Sequence, residues 1–153
     1  MSKKVLISSC LLGENVKYDG GNNSITDHNF IQKLKNLNLT VPACPEVEGG
    51  LPTPRVPVEI IDARAINQDG EDKTDEFILG AKLALDKVIK NGVKMAIMKF
   101  RSPSCGSGQI YDGTFTRRLI DGDGVATALL KKHGISVFTE FELKEAEEFW
   151  GKL

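Results

Sequence analysis

The feature that most constrains this chain is the alternation of short apolar runs, each of strand length, with longer stretches of helical periodicity. Lys4 to Ser9 reads as a strand. Asp27 to Asn36 reads as a helix with Phe30, Ile31 and Leu34 on one face and Asp27 as its N-cap. Leu39 to Ala43 follows as a second strand. Asp75 to Lys90 is the clearest helix, because Phe77, Ile78, Ala81, Leu85, Val88 and Ile89 recur at helical spacing and Gly92 supplies a stop. Val93 to Lys99 is rich in apolar residues, as a buried parallel strand should be. Gly124 to His133 reads as a helix with Asp123 as N-cap and Gly134 as stop, and Ile135 to Phe138 as a last strand. Thr139 and Glu142 form a capping-box pattern before a terminal helix carrying Leu143, Ala146, Phe149 and Trp150. Such alternation implies βαβ units, right-handed crossovers and an α/β fold with a mostly parallel sheet.

The connecting segments carry more information than usual. Pro45 to Pro57 holds four prolines and two glycines among Glu, Arg and Leu, which argues for an ordered functional loop and against a helix or central strand. Phe100 to Gly108 is a second such loop, Gly20 to Asn23 a third, Val58 to Ile61 a short extended segment, and Ile110 to Thr116 a turn or hairpin. Gly122-Asp123-Gly124 opens a helix but does not follow a strand, so it is not a dinucleotide fingerprint.

A chain of 153 residues is long enough for one domain with a real core, and the expected unit is 1–153. The formal net charge of −1 gives no basic bias toward nucleic acid and no polybasic run toward a membrane surface. No run approaches the about 18 apolar residues of a membrane helix. Ile7-Ser8-Ser9-Cys10 faintly resembles a lipoprotein cleavage site, yet the apolar run before it is far shorter than the roughly 7–15 residues of a signal sequence, so a cytoplasmic protein is expected.

Three cysteines cannot all pair with one another, and in a reducing compartment they are thiols or metal ligands. Each falls just past the C-terminal end of an expected strand: Cys10, Cys44 and Cys105. Ligands of open α/β sheets bind outside those strand ends. Parallel strands would therefore gather three thiols, remote in sequence, into one crevice. Such a set suits zinc, copper or an iron–sulfur cluster. Structural zinc favours close pairs such as C-x-x-C, which this chain lacks, and His28 and His133 read as ordinary residues rather than as a fourth ligand. Three cysteines on a cubane cluster would leave one iron without a protein ligand, an open Lewis-acid position for a soft sulfur atom.

Several blocks in order resemble one family. They are Ser9-Cys10-Leu11-Leu12-Gly13, Tyr18-Asp19-Gly20, Cys44-Pro45-Glu46-Val47, Gly49-Gly50-Leu51-Pro52-Thr53-Pro54-Arg55, Ser102-Pro103-Ser104-Cys105-Gly106 and Tyr111-Asp112-Gly113-Thr114-Phe115. From about Val5 to Glu140 the chain is similar to a widespread bacterial domain family that includes thiouracil desulfidase. The resemblance implies a Rossmann-like three-layer α/β domain, a 4Fe-4S cluster on Cys10, Cys44 and Cys105, Glu46 as acid/base and Ser102 as a substrate-orienting hydroxyl. It also implies a small thiolated substrate, while the charge balance argues against a nucleic-acid or membrane partner. Where the family often carries Arg before Tyr-Asp-Gly, Lys17 stands here, keeping the charge but not the guanidinium fork.

Replacing C=S by C=O requires a group to hold sulfur, a base to activate water and a route for protons. Glu46, two residues past a ligand in a proline-fixed loop, suits the second task. Ser104 beside Ser102 is a candidate for hydrogen bonds to substrate or cluster, and Arg55 and Arg101 for charge neutralisation. Asp19 and Asp112 read as turn formers. Two further readings share the thiol site: a sulfur-transfer enzyme on another thiolated substrate, and a non-enzymatic redox or metal sensor.

Overall fold

The computed structural model describes residues 3–153. The first half runs β1 (Val5–Ser8), a 3-10 turn (Ser9–Leu12), α1 (Asn29–Asn36), β2 (Thr40–Ala43), a one-turn helix α2 (Pro45–Glu48) and the hairpin β3 (Val58–Ile61) and β4 (Arg64–Asn67). The long helix α3 (Thr74–Asn91) then leads to β5 (Met95–Met98), a second hairpin of β6 (Gln109–Tyr111) and β7 (Leu119–Asp121), α4 (Val125–Lys132), β8 (Ser136–Thr139) and α5 (Leu143–Gly151).

The central sheet has the order β2-β1-β5-β8, and every pair is parallel. β1 and β5 are buried on both faces, which is why they read as continuous apolar runs. Their side chains alternate. Val5, Ile7, Met95 and Ile97 meet Phe30, Ile31 and Leu34 of α1 with Leu143 and Ala146 of α5. Leu6, Ala96 and Met98 turn the other way, toward Ala84 and Val88 of α3 and Leu130 of α4. The result is three layers around one sheet, the α/β architecture expected. Each fully buried Leu, Ile or Phe contributes about 1.5–3 kcal/mol of apolar transfer energy. At the β2 edge, exposed Pro42 leaves no backbone donor, a feature that discourages pairing with another strand.

The strand order reverses beside β1. The chain steps from β1 to β2 on one side, then crosses to β5 on the other. That is a topological switch point, and the crevice it opens lies beyond the C-terminal ends of β1 and β5.

Three local expectations change. Pro45 does not exclude a helix but starts one, since its missing N–H falls at the first helical position, where no intrahelical partner exists. Asp27 is not the cap of α1; Nδ1 of His28 accepts the Phe30 N–H at 3.2 Å instead. Asp123 likewise leaves the cap position of α4 to Gly124, and its carboxylate accepts from Gly108 N–H and Lys131. The stop at Gly92 holds: it is left-handed, and Val93 N–H returns to the Val88 carbonyl. The capping box before α5 is half formed. Glu142 reaches back to the Thr139 N–H at 3.0 Å, while the Thr139 hydroxyl accepts from Phe141 N–H.

Candidate active site

Each of the three cysteines leaves a different sheet strand. Cys10 sits on the 3-10 turn that ends β1, buried, with its carbonyl accepting from Asn23 N–H at 3.0 Å. Cys44 ends β2 in extended conformation and is the N-cap residue of α2. Its own N–H donates to Glu48 Oε1, which Lys87 of α3 also holds.

The seat of α2 on α3 depends on two glycines. A Cβ at Gly80 would overlap the Pro45 carbonyl, and one at Gly49 would overlap the Glu76 carbonyl. Only glycine lets the two helix backbones approach this closely, and that approach sets where Cys44 and Glu46 stand.

Cys105 follows β5 through a loop folded on itself. Ser102 Oγ accepts from Ser104 N–H at 3.2 Å and from Cys105 N–H at 3.0 Å, and Gly106 N–H donates to Ser102 O. The first turn of α4 then grips the loop: Ala126 and Thr127 N–H donate to Ser104 O, and Thr127 Oγ1 donates to Cys105 O at 2.7 Å. Gly124 lies so close that a Cβ there would stand 2.6 Å from Ser104 O.

The thiols feel one another. Burial pushes Cys10 up to about 11; Lys99 and Lys17 pull it down, while Cys44 and Glu140 push it further up. Burial pushes Cys105 up to about 12, against hydrogen bonds from Ser8 and Ser104, with Cys10 and Glu46 adding to the rise. Cys44 is raised by burial too, opposed by the Val47 N–H and then pushed up by Glu46. Lys99 in turn pairs with Glu140 at 2.8 Å, and Glu140 Oε1 accepts the Phe100 N–H.

Glu46 projects from α2 into a dense network. Its Oε1 accepts from Arg55 Nε at 3.1 Å and its Oε2 from Ser104 Oγ at 2.8 Å. Ser104 Oγ lies 3.0 Å from Ser102 Oγ and 3.6 Å from Cys105 Sγ. Arg55 is not solvated: its side chain is 6% exposed, and its guanidinium also reaches the Val16, Pro52 and Thr53 oxygens.

This donor set fits an iron–sulfur cluster better than a single ion. It is made of sulfur alone, which is soft. Among the described residues no three His, Cys, Asp or Glu side chains are grouped so as to hold one metal ion. Neither histidine is nearby as a fourth ligand by its contacts: His28 caps α1, and exposed His133 turns Nδ1 to the Leu129 carbonyl. A metal centre taken up by these thiols must displace their protons, so its uptake is pH-dependent.

Fold and site together define a switch-point α/β protein that carries three cysteines after its sheet strands and a carboxylate held on both oxygens. The chain belongs to the family described as 2-thiouracil desulfurase, whose family model matches residues 5–142. It is 40% identical over 151 residues to the uncharacterized protein YbbK of Bacillus subtilis (strain 168), covering 92% of this chain and 98% of that one. It is also similar to a solved structure of the 4Fe-4S-dependent thiouracil desulfidase TudS, with 43% identity, a TM-score of 0.95, and coverage of 98% of this chain and 99% of that chain.

Sequence reasoning named Cys10, Cys44, Cys105, Glu46 and Ser102, and the structure brings them to one end of the sheet. It missed the Ser104 bond to Glu46, the Lys99–Glu140 pair and Ser8. A signal for the pair was present, because Lys99 follows β5 and Glu140 follows β8 just as Cys10 and Cys44 follow β1 and β2. Arg101 is exposed and packs on the Phe100 ring at 4.7 Å. Asp19 and Asp112 are turn formers: they accept from Gly21 and Thr114 N–H.

Proposed function

We propose that this protein is a desulfidase that converts a small thiolated pyrimidine, with thiouracil as the type substrate, to the oxo compound and sulfide. In this reading the whole chain is one iron–sulfur domain of the cytoplasm, and Cys10, Cys44 and Cys105 hold a 4Fe-4S cluster. The balance needs no electrons: water supplies the oxygen, the C–S bond breaks, and sulfur leaves carrying the protons of that water. When bound, such a cluster supplies an iron without a protein ligand, a Lewis acid for thiocarbonyl sulfur.

The remaining work falls to the chain. Glu46 is the base for the attacking water and returns the proton to the ring nitrogen or the departing sulfur. Arg55 fixes its orientation. Ser102, half-buried in the same network, orients the substrate. Lys99 and Lys17 offset the charge of three thiolates. The observation that carries this reading is the Glu46 carboxylate, held on both oxygens between Arg55 and Ser104 at the end of the sheet where cysteines follow β1, β2 and β5.

Anaerobically purified protein is expected to be brown, to hold about four irons per chain and to release sulfide from thiouracil. Glu46→Gln is expected to keep the iron and lose about 10²–10⁴-fold in turnover. A colourless, zinc-loaded protein that leaves thiouracil intact would overturn the desulfidase reading in favour of a metal or redox sensor.

A further inference from the structure

We infer that Tyr18 binds the ring of the substrate: its aromatic face is the platform on which a planar, uncharged pyrimidine stacks. The inference rests on the desulfidase reading and deepens it, because it gives the heterocycle a contact separate from those that act on its C–S bond.

Tyr18 stands on a closed corner of the chain. Gly20 N–H donates to Lys17 O at 2.8 Å, and Lys17 N–H donates to Gly21 O at 3.1 Å. Asp19 Oδ1 accepts the Gly21 N–H at 2.9 Å, and Gly20, with a φ of 83°, takes the left-handed step that a side chain would resist. Main-chain bonds then fix this corner to the site. Arg55 N–H donates to Tyr18 O at 2.8 Å, and the Arg55 guanidinium donates to Val16 O at 3.0 Å as well as to Glu46. Val16 O also lies 4.0 Å from Cys44 Sγ. One arginine thus ties Glu46, the Cys44 arm and the Tyr18 corner together.

The fold itself makes little use of the side chain. The Tyr18 ring is 47% exposed, although the backbone beneath it is pinned by a buried guanidinium. Among the described residues no protein group hydrogen-bonds its phenol, and no aromatic ring or cation covers its face. A large ring held half in water stabilises the fold little, whereas a planar ligand that covers it removes that surface from solvent. Lys17 and Asp19 on either side pair with each other at 3.9 Å, so the corner offers no net charge to select an ionic ligand. What it offers is a π face, and stacking on an aromatic side chain is the contact that recognises a pyrimidine ring as a ring.

Two measurements on the cluster-loaded enzyme test this. With the tyrosine rings labelled with carbon-13, Tyr18 and Tyr111 give the two ring signals, assigned by Tyr18→Phe. Uracil, which has no sulfur to lose, is expected to move the Tyr18 signal and to leave Tyr111 in place. In turnover of thiouracil, Tyr18→Ala is expected to raise KM about 10–100-fold. Its kcat is expected to change by less than about threefold, as for a contact made equally in the ground and transition states. Tyr18→Phe, which keeps the π face, is expected to bring KM back to within about threefold of the wild type. Iron per chain should be equal in all three proteins. A Tyr18 signal that stays still, a KM that Tyr18→Ala leaves unchanged, or a Phe variant as impaired as the Ala variant overturns the inference. So does a loss that follows iron loss, which would make the corner a clamp for the Cys44 arm instead. If Tyr18 reports uracil while the wild-type enzyme releases no sulfide from thiouracil, the stacking platform stands and it is the desulfidase reading that fails.

Discussion

The arm that carries Cys44 and the arm that carries Cys105 solve the same problem by different physics. Both must place a thiol at the end of a sheet strand, and both rely on glycine to bring backbones together. The Cys44 arm is set by packing, with α2 laid on α3 across Gly49 and Gly80. The Cys105 arm is set by directed hydrogen bonds, with the first turn of α4 donating to Ser104 O and Cys105 O. Packing tolerates no added volume, because the clash is between main chains that cannot rotate away. A hydrogen-bonded loop can shift by a few tenths of an ångström and keep part of its network.

That contrast can be broken from the packing side first. Gly80→Ala is expected to destabilise the protein by about 3 kcal/mol and to displace Cys44, so that thermal melting falls and iron retained per chain drops sharply. Equal iron retention in that variant would show that α2 adjusts freely. Gly124→Ala is expected to cost less, about 1–2 kcal/mol, since its backbone angles suit any residue and only the Ser104–Cys105 peptide must give. Reduced iron with a modest melting shift is its expected signature. The smallest effect belongs to a site outside both arms. Asp62 and Ala63 form the turn between β3 and β4 with φ of 48° and 62°, left-handed values that a Cβ disfavours. Ala63→Gly is expected to stabilise by up to about 1 kcal/mol in a denaturant titration and to leave iron content unchanged.

The sheet and its four flanking helices were legible because their apolar periodicities are strong and their termini are marked, as at Gly92. The cysteines were legible as a set because parallel strands share one C-terminal edge. The hairpins were harder. The Asp62-Ala63 turn lacks the usual glycine, and Gly113, distant from it in the chain, packs its left-handed turn against Ile61 where no local pattern reveals it. The helix at Pro45 is a single turn with no apolar repeat to mark it, and its proline is helix-compatible only because it stands at the first helical position. The partners of Glu46 were out of reach for a different reason. Arg55 and Ser104 bond it only because α2 is seated by Gly80 and the Cys105 loop by α4, so the contact is a product of tertiary assembly and leaves no periodic trace.

Cys10 and Cys105 are buried, whereas Cys44 is half-buried on the packing-set arm. Oxidants and alkylating reagents diffusing to the apo protein therefore meet one sulfur before the others. Chemical attack on the three thiols begins at the β2 corner, and a single adduct on Cys44 would be its first trace.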